Sequence, residues 1–288
     1  MVAFDTSAWF DMVRHGSTSS PTAHQPLTNR SVQASSDNKP GIFFSGNRLI
    51  LSMSIQSDPL KTKILEKKHA IRSFTLRRGR ITVAQQRALN TLWPRYGIEI
   101  NNIINLDTLF GRGAEKHLEI GFGRGDALIT MATRHPEHDY LGIEVHKAGI
   151  GHLLLQIEAH QLTNIRIICA DASEILQDKL PSQSLDAIYL FFPDPWHKKR
   201  HHKRRLIQPP FVNLLAQRLK SGGILHLATD WENYAQQMLQ ILEMTPEFRN
   251  CVEPGHFAPR PLERFLTKFE QRGLRLGHSV WDLLFVRR

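Results

Sequence analysis

The chain has 288 residues, of which 41% are hydrophobic and 22% charged, and its formal net charge is +10. That length allows one large domain with extensions or two small domains, and the charge predicts salt-sensitive attraction to polyanions. No apolar run approaches the ~18 residues a membrane helix needs. The two cysteines, Cys169 and Cys251, form neither a disulfide framework nor a Cys-x-x-Cys zinc pair, so a cytoplasmic, reducing compartment is expected.

Residues 1–55 read as a leader. The stretch from Thr6 to Asn38 is rich in Ser, Thr, Gln, Asn and Pro without a sustained period, a composition expected to be disordered and dispensable. Met53 is an alternative start, and the segment lacks the charged start and apolar core of a secretory signal. Residues 56–112 read as a basic extension, with eight cations between Lys61 and Arg80 against the single acid Glu66. A helix is expected from about Val83, ending at Trp93-Pro94 because proline disfavours helix in the residue before it.

From 113 to 288 apolar runs alternate with helical patterns. Strands are expected at 116–120, 139–145, 164–169, 185–191 and 222–228, and helices at 125–134, 147–160, 210–220 and 231–244. The alternation predicts an α/β fold of βαβ units, with a parallel sheet covered by helices on both faces. Residues 280–286 supply a last strand.

Between the first strand and first helix lies Gly121-Phe122-Gly123-Arg124-Gly125. Glycines there allow a tight turn and close approach of backbone to a ligand, although the spacing is not the Gly-x-Gly-x-x-Gly of dinucleotide binders. Three acids sharpen the pattern. Glu119 is a charged residue inside an apolar strand and needs a partner, which a cationic ligand would supply. Glu144, at the end of the second strand, is placed to accept from a ribose diol. Asp171, after the third strand, is placed either to accept from an adenine amino group or to cap the short helix that follows. An acid-rich pocket suits a sulfonium cofactor, S-adenosyl-L-methionine, better than a pyrophosphate one.

The fourth strand delivers Phe191-Phe192-Pro193-Asp194-Pro195-Trp196, and six of the next eight residues after His197 are Lys or Arg. This sets Asp194 in a stiff turn at a strand end, where ligands bind in open parallel sheets, beside a cationic patch suited to nucleic acid. His197, His201 and His202 do not read as a metal site, because no acid or cysteine follows at ligand spacing and the surrounding cations repel a metal ion. Two other readings compete: an NAD(P)-dependent oxidoreductase, and a non-catalytic RNA-binding protein.

The motifs resemble those of the bacterial tRNA (guanine-N7-)-methyltransferases. They are Leu-Glu-Ile-Gly-Phe-Gly (118–123), Gly-Ile-Glu-Val (142–145), Phe-Phe-Pro-Asp-Pro-Trp with its basic tail (191–205), Ala-Thr-Asp-Trp-Glu (228–232) and Thr-Lys-Phe-Glu-Gln-Arg-Gly (267–273). The resemblance runs from about Ile71 to the C-terminus. It implies a Rossmann-like class I S-adenosylmethionine-dependent methyltransferase with a doubly wound, mostly parallel seven-stranded sheet, acting on tRNA. It assigns Glu119, Gly121, Gly123, Glu144, Asp171 and Asp194 to the cofactor, with Asp194 also catalytic. It assigns Lys198, Asp230, Thr267, Lys268, Phe269 and Glu270 to substrate, and Arg200, His201, His202, Lys203, Arg204 and Arg205 to RNA. No metal, membrane or obligate protein partner is expected. The chain departs from the family where Arg-Pro-x normally precedes Thr-Lys-Phe-Glu: it reads Arg264-Phe265-Leu266.

Overall fold

Alternation of apolar strands with amphipathic helices produces the layered architecture in the computed structural model, which describes residues 72–75, 80–262, 264–266, 270, 271, 275, 277 and 279–288. The 1–55 leader, the Met53 start and most of the basic stretch after Lys61 lie outside the described residues. Helix α1 (Val83–Thr91) opens on a capping box, in which Thr82 and Gln85 satisfy each other's backbone N–H groups. It stops before Pro94, as expected, and Trp93–Tyr96 adds one short turn, α2. A second short helix, α3 (Leu106–Phe110), precedes the sheet.

The strands β1 (Lys116–Ile120), β2 (Asp139–Glu144), β3 (Ile165–Cys169), β4 (Leu185–Phe191) and β5 (Leu219–Thr229) alternate with four helices. These are α4 (Asp126–Arg134), α5 (Lys147–Ala159), α6 (Ala172–Asp178) and α7 (Pro209–Arg218). Helix α8 (Glu232–Glu243) then leads to β6 (Phe248–Asn250) and β7 (Trp281–Arg287). The seven strands lie in the order β3-β2-β1-β4-β5-β7-β6. The first five are parallel, and β7 runs antiparallel to both β5 and β6. The sheet is therefore mostly parallel, with β7 inserted between β5 and β6.

Successive strand residues face opposite layers. Leu118, Ile120, Leu141 and Ile188 pack with Ile175, Val212, Leu215 and Met238 from α6, α7 and α8. Tyr140, Ile165 and Ile167 pack with Ala88, Leu128, Ile150 and Leu154 from α1, α4 and α5. Strand β1 has β2 on one side and β4 on the other, so the chain reverses its winding there. A crevice opens at the carboxyl ends of strands at such a switch point. Glu119, Glu144, Asp171, Asp194 and Asp230 all come from this edge.

Candidate active site at the carboxyl edge of the sheet

A cleft of about 1130 Å³ opens at this edge, lined by Glu119, Gly121, Gly123, Phe191, Phe192, Asp194, Asp230, Trp231 and Trp281 among others. A smaller cavity of about 190 Å³ lies beside it, lined by Glu144, Asp171, His146, Ser73 and Phe74 among others. Gly121 and the Phe191–Asp194 segment border both. The sequence-predicted cofactor residues thus gather around two adjoining hollows.

Gly121 and Gly123 have φ of +70° and +56°, a region that disfavours side chains, and a Cβ on either would meet nothing within 4 Å. The loop's bare backbone therefore faces open space. Glu144 shapes it from below: its Oε2 accepts from the Gly123 N–H at 2.9 Å, and its Oε1 accepts from the Val145 and His146 N–H groups at 2.7 and 3.0 Å. A carboxylate has about four lone-pair sites, so three are engaged within the protein. Asp171 Oδ1 caps α6 by accepting from the Ser173 N–H at 2.9 Å, so the cap reading holds at a residue that also lines the smaller cavity.

Glu119 is the outlier. It is 3% exposed, and its Oε2 has no hydrogen-bond partner. Burial, then the nearby charges of Glu144 and Asp126, push its pKa up to about 8. At neutral pH burial and the neighbouring acids therefore favour the protonated form of Glu119. A cationic group in the cleft would favour its ionised form.

Asp194 is exposed and borders both hollows. Its turn is strained and clamped. Phe192 and Trp196, on either side, have φ of +52° and +47°, a conformation bulky residues adopt only when their surroundings impose it. Those restraints are visible. The Phe192 N–H donates to the Ala228 carbonyl at 2.8 Å, the Arg205 Nε–H donates to the Pro195 carbonyl at 2.9 Å, and the Trp196 indole N–H donates to the Ser73 carbonyl at 2.9 Å.

The basic segment is a 3₁₀ helix, Lys199–Arg204, and its cations divide into two groups. Lys198, Lys199, Arg200 and Lys203 are exposed, and His201 and His202 are half-buried. Arg205, expected at RNA, is 2% exposed. Its Nη1 donates to Gln237 Oε1 at 2.7 Å and its Nη2 to Asn233 Oδ1 at 2.9 Å, with the guanidinium over the Tyr234 ring. Arg204 lies 3.8 Å over the Trp196 ring and donates to the carbonyls of Arg72 and Phe74. Burial of Arg205 runs against its RNA expectation, whereas Arg204 is only partly buried; both hold the Asp194 turn. The covering of Trp196 by Arg204 also removes that indole face as a base platform. Trp231, unassigned from sequence, borders the cleft at 39% exposure, with the His197 ring 4.2 Å away edge-on.

Of the expected substrate residues, Asp230 lines the large cleft and Lys198 stands exposed at the start of the 3₁₀ helix. Thr267, Lys268 and Phe269 lie outside the described residues. Glu270 does not face the cleft. It is 2% exposed and accepts from Arg264 Nη1 at 2.7 Å, while Arg264 also donates to Asp282, which accepts the buried His226 ring at 2.8 Å. Such a buried cluster of ion pairs and hydrogen bonds fixes local geometry. The Arg264-Phe265-Leu266 departure therefore keeps the arginine that pairs with Glu270 and replaces only the proline.

The chain matches a family model described as "Putative methyltransferase" over residues 114–283. It is similar to the tRNA (guanine-N(7)-)-methyltransferase of Alcanivorax borkumensis, 51% identical over 80% of this chain and 96% of that one. It is similar also to those of Alkalilimnicola ehrlichii, 54% identical over 77% and 94%, and Nitrosospira multiformis, 54% identical over 76% and 95%. Among solved structures, the 16S rRNA methyltransferase KamB matches at a TM-score of 0.50 and 12% identity, covering 67% of this chain and 98% of that one, a likeness of fold. With these matches over a mostly parallel seven-stranded sheet, the chain belongs to the tRNA (guanine-N7-)-methyltransferase family of S-adenosylmethionine-dependent class I methyltransferases.

Proposed function

We propose that this chain methylates N7 of the variable-loop guanine at position 46 of tRNA in the cytoplasm. The observation that carries the reading is Glu119: a buried carboxylate with an unpartnered oxygen at the floor of a large cleft, beneath a glycine turn with open space above it. S-adenosylmethionine fits these residues, because its methionine ammonium supplies the cation Glu119 lacks. Bound there, it supplies a methyl group activated by a positively charged sulfur. Glu144 would offer its remaining lone pair to a ribose hydroxyl, and Asp171, in the adjoining cavity, would face the adenine.

Guanine N7 has an in-plane lone pair and no proton, so no general base is needed to make the nucleophile. Catalysis then rests on alignment of the two reactants and on charge. Asp194 accepts from guanine N1–H and N2–H, which holds the base and favours the positive charge that develops on the purine ring. Asp230 stands in the same cleft to share this role. Trp231 offers an exposed indole on which the base can stack. Lys198, Lys199, Arg200 and Lys203 bind phosphate, which supplies affinity without reading sequence. Thr267, Lys268 and Phe269 complete the substrate-binding set.

Incubating the protein with methyl-labelled cofactor and unmodified tRNA, then mapping the label, tests this reading. Label at N7 of one variable-loop guanine is expected. Label elsewhere, or tRNA binding without transfer, would replace it with another target or with the non-catalytic alternative.

A further inference from the structure

The opposite, amino edge of the sheet holds a cluster of titratable side chains that methyl transfer does not use. Glu115 leads into β1 and His138 leads into β2. The parallel register Lys116↔Asp139 sets these two residues side by side, and His117, two residues past Glu115, shares its face. Lys116 points the other way, where Asp107 and Asp139 engage its ammonium at 2.9 and 3.1 Å, so it does not compete. Arg112 Nη2 donates to the Pro136 and His138 carbonyls at 2.9 and 3.1 Å and pins the turn that carries His138.

Distances within the cluster are those of a coordination shell. Glu115 Oε2 lies 3.3 Å from His117 Nε2 and 3.5 Å from His138 Nε2. Glu137 Oε1 lies 3.7 Å from the same His138 nitrogen. A tetrahedral zinc ion with bonds of about 2.0–2.1 Å places its ligands about 3.3–3.4 Å apart. The three donor atoms of Glu115, His117 and His138 all lie within 4.8 Å of one another. His117 is oriented from behind, since its Nδ1 lies 3.1 Å from the Tyr189 hydroxyl. A hydrogen bond at the second ring nitrogen is the usual support of a metal-bound imidazole.

We propose that Glu115, His117 and His138 form a binding site for a divalent transition ion of the zinc class, with Glu137 or water as fourth ligand. The donor set of two imidazoles and a carboxylate matches zinc rather than magnesium or calcium, which prefer oxygen alone. The ion would tie the starts of β1 and β2 together. This departs from the expectation of no metal drawn from the sequence, where α4 separates His138 from Glu115 and His117.

The test uses the full chain, stripped with chelator and titrated with zinc against a competing dye, with cobalt as a spectroscopic substitute. One zinc per chain is expected, with the intense visible absorption of tetrahedral cobalt and a Tm raised by zinc. E115Q and H138N should each weaken zinc binding about 10-fold or more, while an H197N/H201N variant in the basic segment retains it. E115Q changes a partly exposed side chain, so its chelated form should melt with the chelated wild type. Absence of zinc binding, binding unaffected by E115Q and H138N, or binding lost in H197N/H201N instead would overturn the proposal.

Discussion

The acids of the cleft and the cations beside it are adjacent, yet they are used on opposite terms. Glu119 is buried with an oxygen left unpartnered and Asp194 is exposed on a clamped turn, so both are available to a ligand. The 198–205 segment looks uniform in charge, but Arg204 and Arg205 are committed to the protein while Lys198, Lys199, Arg200 and Lys203 face solvent. Charge count therefore overstates the number of free cations where some of them build the neighbouring Asp194 turn. The two arginines link the regions: they hold Pro195 and Trp196, and through them Asp194.

The largest effect should come from the acid side. Asp194→Ala should lower kcat about 10²- to 10³-fold in a single-turnover methylation assay, while tRNA affinity stays near wild type. An unchanged rate constant would remove Asp194 from the chemistry. Next in size, Arg205→Ala should act on the fold. Losing its buried hydrogen bonds should cost about 3 kcal/mol, or roughly a 6–12 °C fall in Tm by calorimetry, together with reduced kcat through the loosened Pro195 carbonyl. A variant with wild-type Tm but weakened tRNA binding would place Arg205 back among the groups that bind RNA. The smallest effect belongs to the exposed cations. Replacing Lys199, Arg200 and Lys203 by Ala should leave Tm unchanged and flatten the salt dependence of tRNA binding by about 0.7–0.9 for each phosphate left unneutralised. An unaltered salt slope would mean this face points away from RNA.

Much of this was legible in the chain because the signals were local. Strands β1 to β4 are short apolar runs and emerged near their expected bounds, and the acids fell at the carboxyl edge because each sits in the last residues of its strand or just after them. β6 was not foreseen: Phe248–Asn250 is three residues long and exists only through pairing with β7. The insertion of β7 between β5 and β6 is a long-range choice with no local pattern. The surroundings of two motif charges share that cause. Glu270 and Arg205 carry motif charges, but the partners that engage them, Arg264 for one and the Asn233 and Gln237 amide oxygens for the other, are set by tertiary packing. Trp231 sits in a motif without an evident role, because exposure at a cleft mouth is not written in spacing.

The central claim is that Glu119 waits for a cation, and the pH dependence of S-adenosylmethionine binding tests it most directly. With its pKa pushed up to about 8, Glu119 must release a proton to pair with the ligand's ammonium. Measured by calorimetry from about pH 6 to about 7.5, below the titration of a typical amino group, wild-type affinity should rise close to 10-fold per unit. Glu119→Gln should bind more weakly and with a flat profile. Parallel profiles for the two proteins would contradict the account.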